Sequence, residues 1–164
     1  MKIIQVVGYK NSGKTTVTSH LISKIASLGI RVASIKHHGH GGDFEGISHT
    51  DSGNHFKSGA IIAGVAGENL LQLCNKKDWQ LAQLISLYEL FDTEVLIVEG
   101  FKRENYPKIV LLKEESDLDL IKQLTNIRAV MTLFDMKGRL PIAAPLFTRN
   151  ELDDLCQYVI GQIL

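Results

Sequence analysis

The sequence is poor in the features that mark secreted or membrane-bound chains. It has only two cysteines among 164 residues, and Cys74 and Cys156 lie far apart among apolar neighbours, outside any disulfide-type or metal-type spacing. No apolar run reaches the length needed to cross a bilayer, and the short run at the N-terminus lacks a cleavage site. We therefore expect two buried free thiols and a cytoplasmic protein without a membrane partner.

An excess of one charge is also missing. The 18 lysines and arginines are balanced by 18 aspartates and glutamates, so the protein has no net positive charge that would attract nucleic acid. We expect no nucleic-acid partner, and any bound anion must be held by local contacts. Internal repeats and linkers are lacking, and 164 residues that are 45% hydrophobic suit one core rather than two. Residues 1–164 are thus predicted to form a single domain.

Short apolar runs alternate with helical patterns along the chain. Apolar residues recur at helical spacing in residues 15–28 and 79–91, and in a C-terminal helix that Asn150 can cap. This alternation is typical of a three-layer α/β fold with a mainly parallel sheet. The runs that predict its buried strands are 2–7, 32–35, 95–98, 109–112 and 129–133.

Two segments depart from this alternation. Residues 60–66 and 70–74 are apolar runs joined by only three residues, so they predict an antiparallel β-hairpin at the edge of the sheet. Its first strand has neither charge nor proline to protect an exposed edge, which favours a homodimer joined through the hairpin. The alternative is that the helix 79–91 covers this edge. Residues 36–53 are polar and glycine-rich, and they predict a functional loop.

The segment G-Y-K-N-S-G-K-T at residues 8–15 matches the pattern G-x-x-x-x-G-K-[ST]. In such a loop the backbone amides and a helix N-terminus surround phosphates, while Lys14 reaches the β and γ phosphates and Thr15 ligates Mg²⁺. The flanking strand and helix favour this P-loop NTPase interpretation over an incidental glycine-rich turn. The predicted nucleotide contacts are Asn11, Ser12, Gly13, Lys14, Thr15 and Thr16.

Glu99 follows the predicted strand 95–98 and precedes a glycine. This is the place of a Walker B acid, because the carboxyl ends of parallel strands face the nucleotide. We expect Glu99 to hold Mg²⁺ and to form the catalytic pair with Lys14; the alternative is a solvated glutamate at a strand end. Lys102 and Arg103 follow, and their charges either face the phosphates or lie on the surface.

The stretch that begins with Lys36 is the most unusual part of the sequence. It contains three histidines and an aspartate, His37, His38, His40 and Asp43. Histidines this close together could bind a transition metal, but a glycine-rich loop does not by itself set ligands in a tetrahedron. We favour a switch loop in which Lys36 and the histidines contact phosphate or substrate, and Asp43 or Asp51 approaches Mg²⁺. A plain polar loop is the third alternative, and we expect no tightly bound zinc or nickel.

Two segments are candidates for recognising the base of a bound nucleotide. Residues 75–78, N-K-K-D, match the N-K-x-D pattern of guanine-specific GTPases, but they precede Glu99 and close the hairpin, so we treat the match as accidental. Asp135 stands where such a motif belongs, after the strand 129–133. Its carboxylate could accept the protons on N1 and N2 of guanine, which adenine does not offer; a strand-end aspartate that only caps a turn is the alternative. The sequence therefore predicts GTP with Mg²⁺ as the ligands.

Considered together, these residues make the chain resemble the molybdopterin-guanine dinucleotide biosynthesis protein B family, MobB. The resemblance implies a GTP-binding adapter, similar to the dimeric metallochaperone GTPases, that hydrolyses GTP slowly. Such an adapter assists a partner nucleotidyltransferase in attaching GMP to molybdopterin, or delivers the finished cofactor. An inserted Gly41-Gly42 alters the family's K-H-x-x-H-D spacing, which leaves open which acid approaches Mg²⁺. The matching segments are G-Y-K-N-S-G-K-T-T at 8–16, I-K-H-x-x-H at 35–40, D-S at 51–52 before K-S-G-A, and V-E-G-F-K at 98–102.

Two other functions share some of these features. Small-molecule P-loop kinases have the same loop and a similar size, but they usually carry an arginine-rich lid, and the arginines here are scattered singly. A nickel-type metallochaperone GTPase is favoured only by the histidines. No residue dedicated to positioning water is identifiable in the sequence, so any GTP hydrolysis should be slow, as suits a switch.

Overall fold

The computed structural model describes residues 1–38, 50–136 and 140–162. The chain forms two compact units, one from Met1–Gly39 with Leu81–Leu164 and the other from His40–Gln80. None of the helices in the described ranges is long and apolar enough to cross a bilayer. The strands and helices are β1 (Lys2–Gly8), α1 (Lys14–Ser27), β2 (Val32–Lys36), α2 (Asp51–Lys57), β3 (Ile62–Ala66), β4 (Leu71–Asn75), α3 (Leu81–Glu89), β5 (Val95–Glu99), β6 (Lys108–Leu112), α4 (Asp119–Gln123), β7 (Ile127–Thr132), β8 (Leu146–Thr148) and α5 (Leu152–Gln162).

The larger unit is built on a six-stranded sheet in the order β2-β5-β1-β6-β7-β8. Every neighbouring pair in this sheet is parallel, so the predicted mainly parallel sheet is confirmed. Strand β1 lies in the middle, between β5 and β6. The carboxyl ends of β1, β2 and β5 therefore meet at one edge of the sheet. Strand β8 was not predicted, because it has only three residues and follows Pro145 without a longer apolar run.

Helices cover both faces of this sheet because successive side chains of each buried strand point to opposite sides. On one face, Ile97 of β5 packs in a cluster with Leu21 of α1 and Leu155 of α5. On the other face, its neighbour Leu96 packs with Leu81 of α3, and further along the same face β6 and β7 pack on α4. Each such fully buried side chain contributes about 1.5–3 kcal/mol to stability. The predicted three-layer arrangement is thus confirmed.

The C-terminal helix begins differently from the prediction. Asn150 does not cap it; it lies inside a single turn of 3₁₀ helix, Arg149–Glu151, that leads into α5. The Thr148 amide and hydroxyl both donate to the Glu151 carboxylate, at 2.7 and 2.8 Å, in a capping box. Thr148 caps the helix because a glutamate, Glu151, stands three residues later and can bond back to it. Asn150 cannot act as the cap because the chain is already helical from Arg149.

The smaller unit contains the predicted hairpin. Strands β3 and β4 are antiparallel, with Ile62 opposite Asn75 and Ala66 opposite Leu71. The hairpin is not an addition to the main sheet, as the alternation suggested, but a separate two-stranded sheet. Two adjacent runs of equal length, joined by a short turn, are enough to form this antiparallel pair.

Helix α2 in the same unit corrects the extent of the predicted loop. The sequence pattern placed residues 36–53 in one loop, but a helix begins at Asp51. Its start is set by Thr50, whose hydroxyl accepts the Gly53 amide at 3.1 Å. The helix is short and mostly polar, so it lacks the apolar periodicity by which longer helices are recognised.

The two thiols differ in exposure. Both cysteines are free, but Cys156 is 1% exposed whereas Cys74 is half-buried. The expectation of a buried thiol is therefore confirmed for Cys156 only. Burial raises the pKa of the Cys156 thiol to about 11, because a thiolate is poorly solvated among apolar groups.

Candidate functional site

The 8–15 loop lies between the central strand β1 and the N-terminus of α1. Gly8 is required sterically, because a Cβ there would be 2.7 Å from the Leu111 carbonyl oxygen and would also collide with Ser12. Asn11 and Gly13 turn the loop with φ values of +61° and +83°, a left-handed conformation that glycine adopts readily. Within this turn Ser12 is only 1% exposed. Residues 11–16, the predicted nucleotide contacts, span the end of the loop and the first residues of α1.

Lys14 folds back over this loop. Its ammonium donates to the Tyr9 carbonyl at 2.5 Å. Burial lowers the pKa of Lys14; the Glu99 carboxylate opposes this shift, while Lys102 and Lys36 add to it. The loop therefore carries a partly desolvated cation, which is the environment that an anionic ligand would complete.

Glu99 has two side-chain contacts, one with the 8–15 loop and one with the end of β2. It is the last residue of β5 and only 5% exposed. The Thr15 hydroxyl donates to its carboxylate at 3.3 Å, and the Lys36 ammonium lies 3.0 Å from its other oxygen. Lys36 also donates to the Thr15 hydroxyl at 3.3 Å. The structure thus brings together three predicted site residues from α1, β2 and β5.

This triangle has the chemistry of a cation site. A hydroxyl and a carboxylate are the hard oxygen donors that Mg²⁺ prefers. The ammonium of Lys36 stands within 3.3 Å of both groups, so a positive charge already lies against these two oxygens. The predicted metal ligands Thr15 and Glu99 are therefore adjacent, whereas Asp43, the third predicted ligand, lies outside the described residues, as does His40.

His37 directly follows strand β2 and packs on the segment after Glu99. Its amide donates to the Glu99 carbonyl at 2.9 Å, which continues the β2–β5 ladder by one residue. Its ring lies 4.5 Å from the ring of Phe101, centroid to centroid. Gly100 allows this approach, because a Cβ there would be 3.0 Å from the His37 Cβ. Within the described ranges, no three His, Cys, Asp or Glu side chains form a metal cluster.

Lys102 lies close to the 8–15 loop. Its ammonium is 4.1 Å from the centroid of the Tyr9 ring, a distance at which a cation is attracted by the aromatic face. Burial lowers the pKa of Lys102, and the Asp117 carboxylate opposes the shift. Lys102 thus lies beside the loop, while Arg103 is exposed. A phosphate contact of either residue stays a prediction.

Two buried polar residues shape the segment after Glu99, and the sequence pattern did not single them out. Gln5, which is fully buried, donates to the carbonyls of Gly100 and Phe101 at 3.2 and 2.8 Å. Lys108, also fully buried, donates to the carbonyls of Glu104 and Tyr106. A polar side chain inside an apolar strand was the available signal, since a buried polar group needs partners.

Asp135 lies at the same edge of the sheet, beyond β7. It lines a cavity of about 210 Å³ at the carboxyl ends of β7 and β8. The other lining residues, none of which was predicted as a site residue, are Thr132, Leu133, Phe134, Thr148 and Arg149. Since β6 alone separates β7 from the loop-bearing strand β1, Asp135 lies at the same edge of the sheet as the 8–15 loop, about two strands away.

The chain is similar to known proteins along most of its length. Residues 3–133 match the family model of Molybdopterin guanine dinucleotide synthesis protein B, MobB. A probable molybdopterin-guanine dinucleotide biosynthesis adapter protein of Bacillus subtilis is 41% identical over 130 residues, which cover 79% of this chain and 75% of the relative. The molybdopterin-guanine dinucleotide biosynthesis adapter protein of Haemophilus influenzae is 30% identical over 161 residues, covering 96% and 86%.

Solved structures agree with this likeness. The crystal structure of Bacillus subtilis MobB superposes with a TM-score of 0.84 at 32% identity, covering 100% of this chain and 99% of that one. A MobB homologue from Bacillus stearothermophilus superposes with a TM-score of 0.81 at 32% identity, covering 99% and 98%. With the three-layer arrangement described above, the likeness confirms the P-loop NTPase fold.

Proposed function

The chain belongs to the molybdopterin guanine dinucleotide synthesis protein B family, MobB, and from this membership we propose that it is an adapter of molybdopterin-guanine dinucleotide synthesis that binds GTP with Mg²⁺. Two relatives carry the adapter description in their names. The observation that carries the nucleotide part of the proposal is the contact between Thr15 and Glu99 beside Lys14. It joins a phosphate-type loop to a strand-end acid, as nucleotide-binding proteins of this fold require.

In this proposal, the 8–15 loop holds the phosphates. The amides of residues 11–16 and the positive end of α1 surround the β phosphate. Lys14 leaves the Tyr9 carbonyl and pairs with phosphate oxygens, a stronger partner for an ammonium than a neutral carbonyl. Lys36, His37 and Lys102 lie around the loop as further contacts, and the two lysines add positive charge where the γ phosphate would stand.

Mg²⁺ would be held by the Thr15 hydroxyl and, directly or through water, by Glu99. When bound, the ion neutralises charge on the β and γ phosphates. Glu99 is suited to this task because it is buried at a strand end and keeps one orientation through its contacts with Thr15 and Lys36. Asp43 remains a proposed further ligand.

The base would lie in the cavity at the ends of β7 and β8, with Asp135 accepting protons from N1 and N2 of guanine. The cavity lies two strands from β1, at the same edge of the sheet as the loop. Adenine offers no such pair of donors, and a carboxylate left without them would lose hydrogen bonds on desolvation. We therefore propose GTP rather than ATP as the ligand.

Hydrolysis of GTP would be slow. In the described part of the site, the groups around the loop are mainly lysines and a hydroxyl, and Glu99, as the proposed ligand of Mg²⁺, is poorly placed to activate water. A slow GTPase keeps its nucleotide long enough to act as a switch. This behaviour suits an adapter that works in the cytoplasm with a nucleotidyltransferase, or that carries molybdopterin, better than it suits an enzyme with high turnover.

The adapter would act as a homodimer joined through the hairpin. Its strands expose large apolar side chains to solvent, and soluble chains rarely leave such groups together without a partner. Pairing with the same surface of a second chain would bury them around a two-fold axis. The exposed residues are Ile61, Ile62, Val65, Leu70, Leu71 and Leu73.

The adapter role is tested by capture from the native cytoplasm. A tagged chain loaded with GTP should retain a nucleotidyltransferase that transfers GMP, and the same chain loaded with GDP should retain less of it. A Lys14→Ala chain serves as the matched control, because it keeps the surface but lacks the loop cation. Recovery of the same proteins by all three preparations would contradict a nucleotide-dependent adapter.

A further inference from the structure

The Lys36 ammonium contacts two side-chain oxygens that could each ligate a metal ion. Its ammonium is 3.0 Å from one Glu99 carboxylate oxygen and 3.3 Å from the Thr15 hydroxyl, and the hydroxyl itself is bonded to the other carboxylate oxygen. These two groups are the proposed ligands of Mg²⁺. We propose that the Lys36 ammonium is a built-in counter-cation, which fills the place between Thr15 and Glu99 and keeps a bare divalent ion out until a nucleotide arrives. This inference rests on the proposed GTP site.

The burial of the two partners is unequal, and this decides which of them moves. The Glu99 side chain is 6% exposed, whereas the Lys36 side chain is 61% exposed. A buried carboxylate without a compensating cation is costly, so Glu99 needs a positive partner in every state of the protein. Lys36 has a flexible, largely solvated stem and can leave at little cost. The carboxylate therefore stays in place, and the lysine is the exchangeable partner.

The surrounding charges make the exchange depend on a nucleotide. Glu99, Lys36 and Lys102 all act electrostatically on Lys14, so three lysines share the neighbourhood of one buried carboxylate. A bare divalent ion entering this group would meet an excess of positive charge. A nucleotide triphosphate brings the negative charges that both the metal and a displaced Lys36 can pair with, so metal and nucleotide enter together.

The test measures metal binding without nucleotide, using Mn²⁺ as the probe because its free form is counted by electron paramagnetic resonance. Lys36→Met removes the charge and keeps the length of the side chain, while Lys36→Arg keeps the charge. Lys122→Met is the matched control, since Lys122 also pairs with a carboxylate, that of Asp119 at 2.7 Å, but on the solvent-facing side of helix α4. Melting temperatures in EDTA and in Mn²⁺ accompany each titration.

We expect Lys36→Met to bind Mn²⁺ at least about tenfold more tightly than the wild-type chain, because a repelling charge next to a divalent ion is removed. Its melting temperature should fall in EDTA and recover in Mn²⁺, as a ligand that binds the folded state stabilises it. Lys36→Arg and Lys122→Met should bind Mn²⁺ like the wild type. Adding Glu99→Gln to Lys36→Met should abolish the gain, which places the ion at Glu99.

Two results would overturn the inference. One is a Lys36→Met chain that binds Mn²⁺ no better than the wild type, which would make Lys36 a purely structural ion pair. The other is a wild-type chain that already binds Mn²⁺ tightly without nucleotide. GTP binding measured on the same wild-type sample separates this question from the proposed function. A gain of Mn²⁺ binding in a chain that does not bind GTP supports the counter-cation and contradicts the GTP site.

Discussion

The Thr15 hydroxyl donates to the Glu99 carboxylate at 3.3 Å, although 84 positions separate the two residues in the sequence. The contact arises because β1, which leads into the 8–15 loop, pairs in parallel with β5, which ends at Glu99. Parallel strands bring their carboxyl ends to one edge, where loops and helix N-termini form binding sites. The parallel pairing of β2 with β5 in turn places Lys36, at the end of β2, beside Glu99.

Lys14→Ala should weaken GTP binding at least tenfold. The variant loses a charge-assisted contact to phosphate worth about 1.5–3 kcal/mol, and about 1.4 kcal/mol corresponds to a factor of ten. Isothermal titration calorimetry with Mg²⁺ present measures the change, and Lys122→Ala, a lysine on the remote helix α4, serves as the control. Equal affinities for the two variants would remove the 8–15 loop as the binding site.

Asp135→Ala should reduce the preference for GTP over ATP. The wild-type chain is expected to bind GTP more tightly, and the variant should lose affinity for GTP while ATP binding changes little, because only guanine offers two donors to the carboxylate. Competition titrations with both nucleotides measure the ratio, and Asp154→Ala, an exposed aspartate of α5, is the control. A wild-type chain that binds the two nucleotides equally would refute the guanine prediction.

Glu99→Gln should largely spare folding but slow Mg²⁺-dependent GTP turnover by at least about tenfold, since a charged ligand contact is lost while the shape of the side chain is kept. The Thr15 hydroxyl can still donate to the amide oxygen. Phosphate release at several Mg²⁺ concentrations measures the effect, and circular dichroism checks the fold. Turnover like that of the parent chain would show that Glu99 does not hold the ion.

The two thiols should react at very different rates. Burial raises the pKa of Cys156 from 9.0 to about 11, so in the folded chain it stays protonated and shielded, while the half-buried Cys74 reacts with an alkylating reagent near pH 8. The folded state holds this proton more tightly than the unfolded chain, so the contribution of Cys156 to stability is complete below pH 9 and is lost as the pH rises toward 11. Mass spectrometry after timed alkylation identifies the modified residue. Equal labelling of both thiols in the folded chain would contradict the burial of Cys156.

Lysine at both Ile62 and Val65 should give soluble monomers that still bind GTP. These side chains are 52% and 55% exposed on β3, and charges there would repel across a two-fold interface. Light scattering at micromolar concentration measures the mass, and Leu90→Lys, a change at a 79% exposed leucine of the larger unit, is the control. A wild-type chain that is monomeric with and without GTP would show that the hairpin does not join a dimer.

The parts of the site that the sequence predicted are formed from neighbouring residues or from strand ends. The 8–15 loop is a run of consecutive residues, and its glycines and lysine stand at the spacing that the backbone geometry requires. Glu99 was recognised because an apolar run ends there. The parallel sheet followed from the length and spacing of apolar runs, which burial on both faces turns into strands. The hairpin followed from two short runs joined by three residues, although most of its side chains are exposed.

Other features depended on contacts between distant segments. The pairing of β2 with β5 brings Lys36 to Glu99, and the burial of Gln5 and Lys108 lets them hold the chain after Glu99. The contacts of Lys36, Gln5 and Lys108 leave no periodic signal in the sequence. The Thr148 cap likewise depends on a side-chain contact, that with Glu151, which leaves no periodic signal.

The sequence by itself determined the type of fold and the position of the loop, since both depend on local backbone geometry and on the pattern of burial. Only the tertiary structure decided that Lys36, rather than another cation, stands between Thr15 and Glu99. The reason is physical: a buried carboxylate takes whichever positive group the strand order brings within reach, and strand order is set by the packing of the whole sheet.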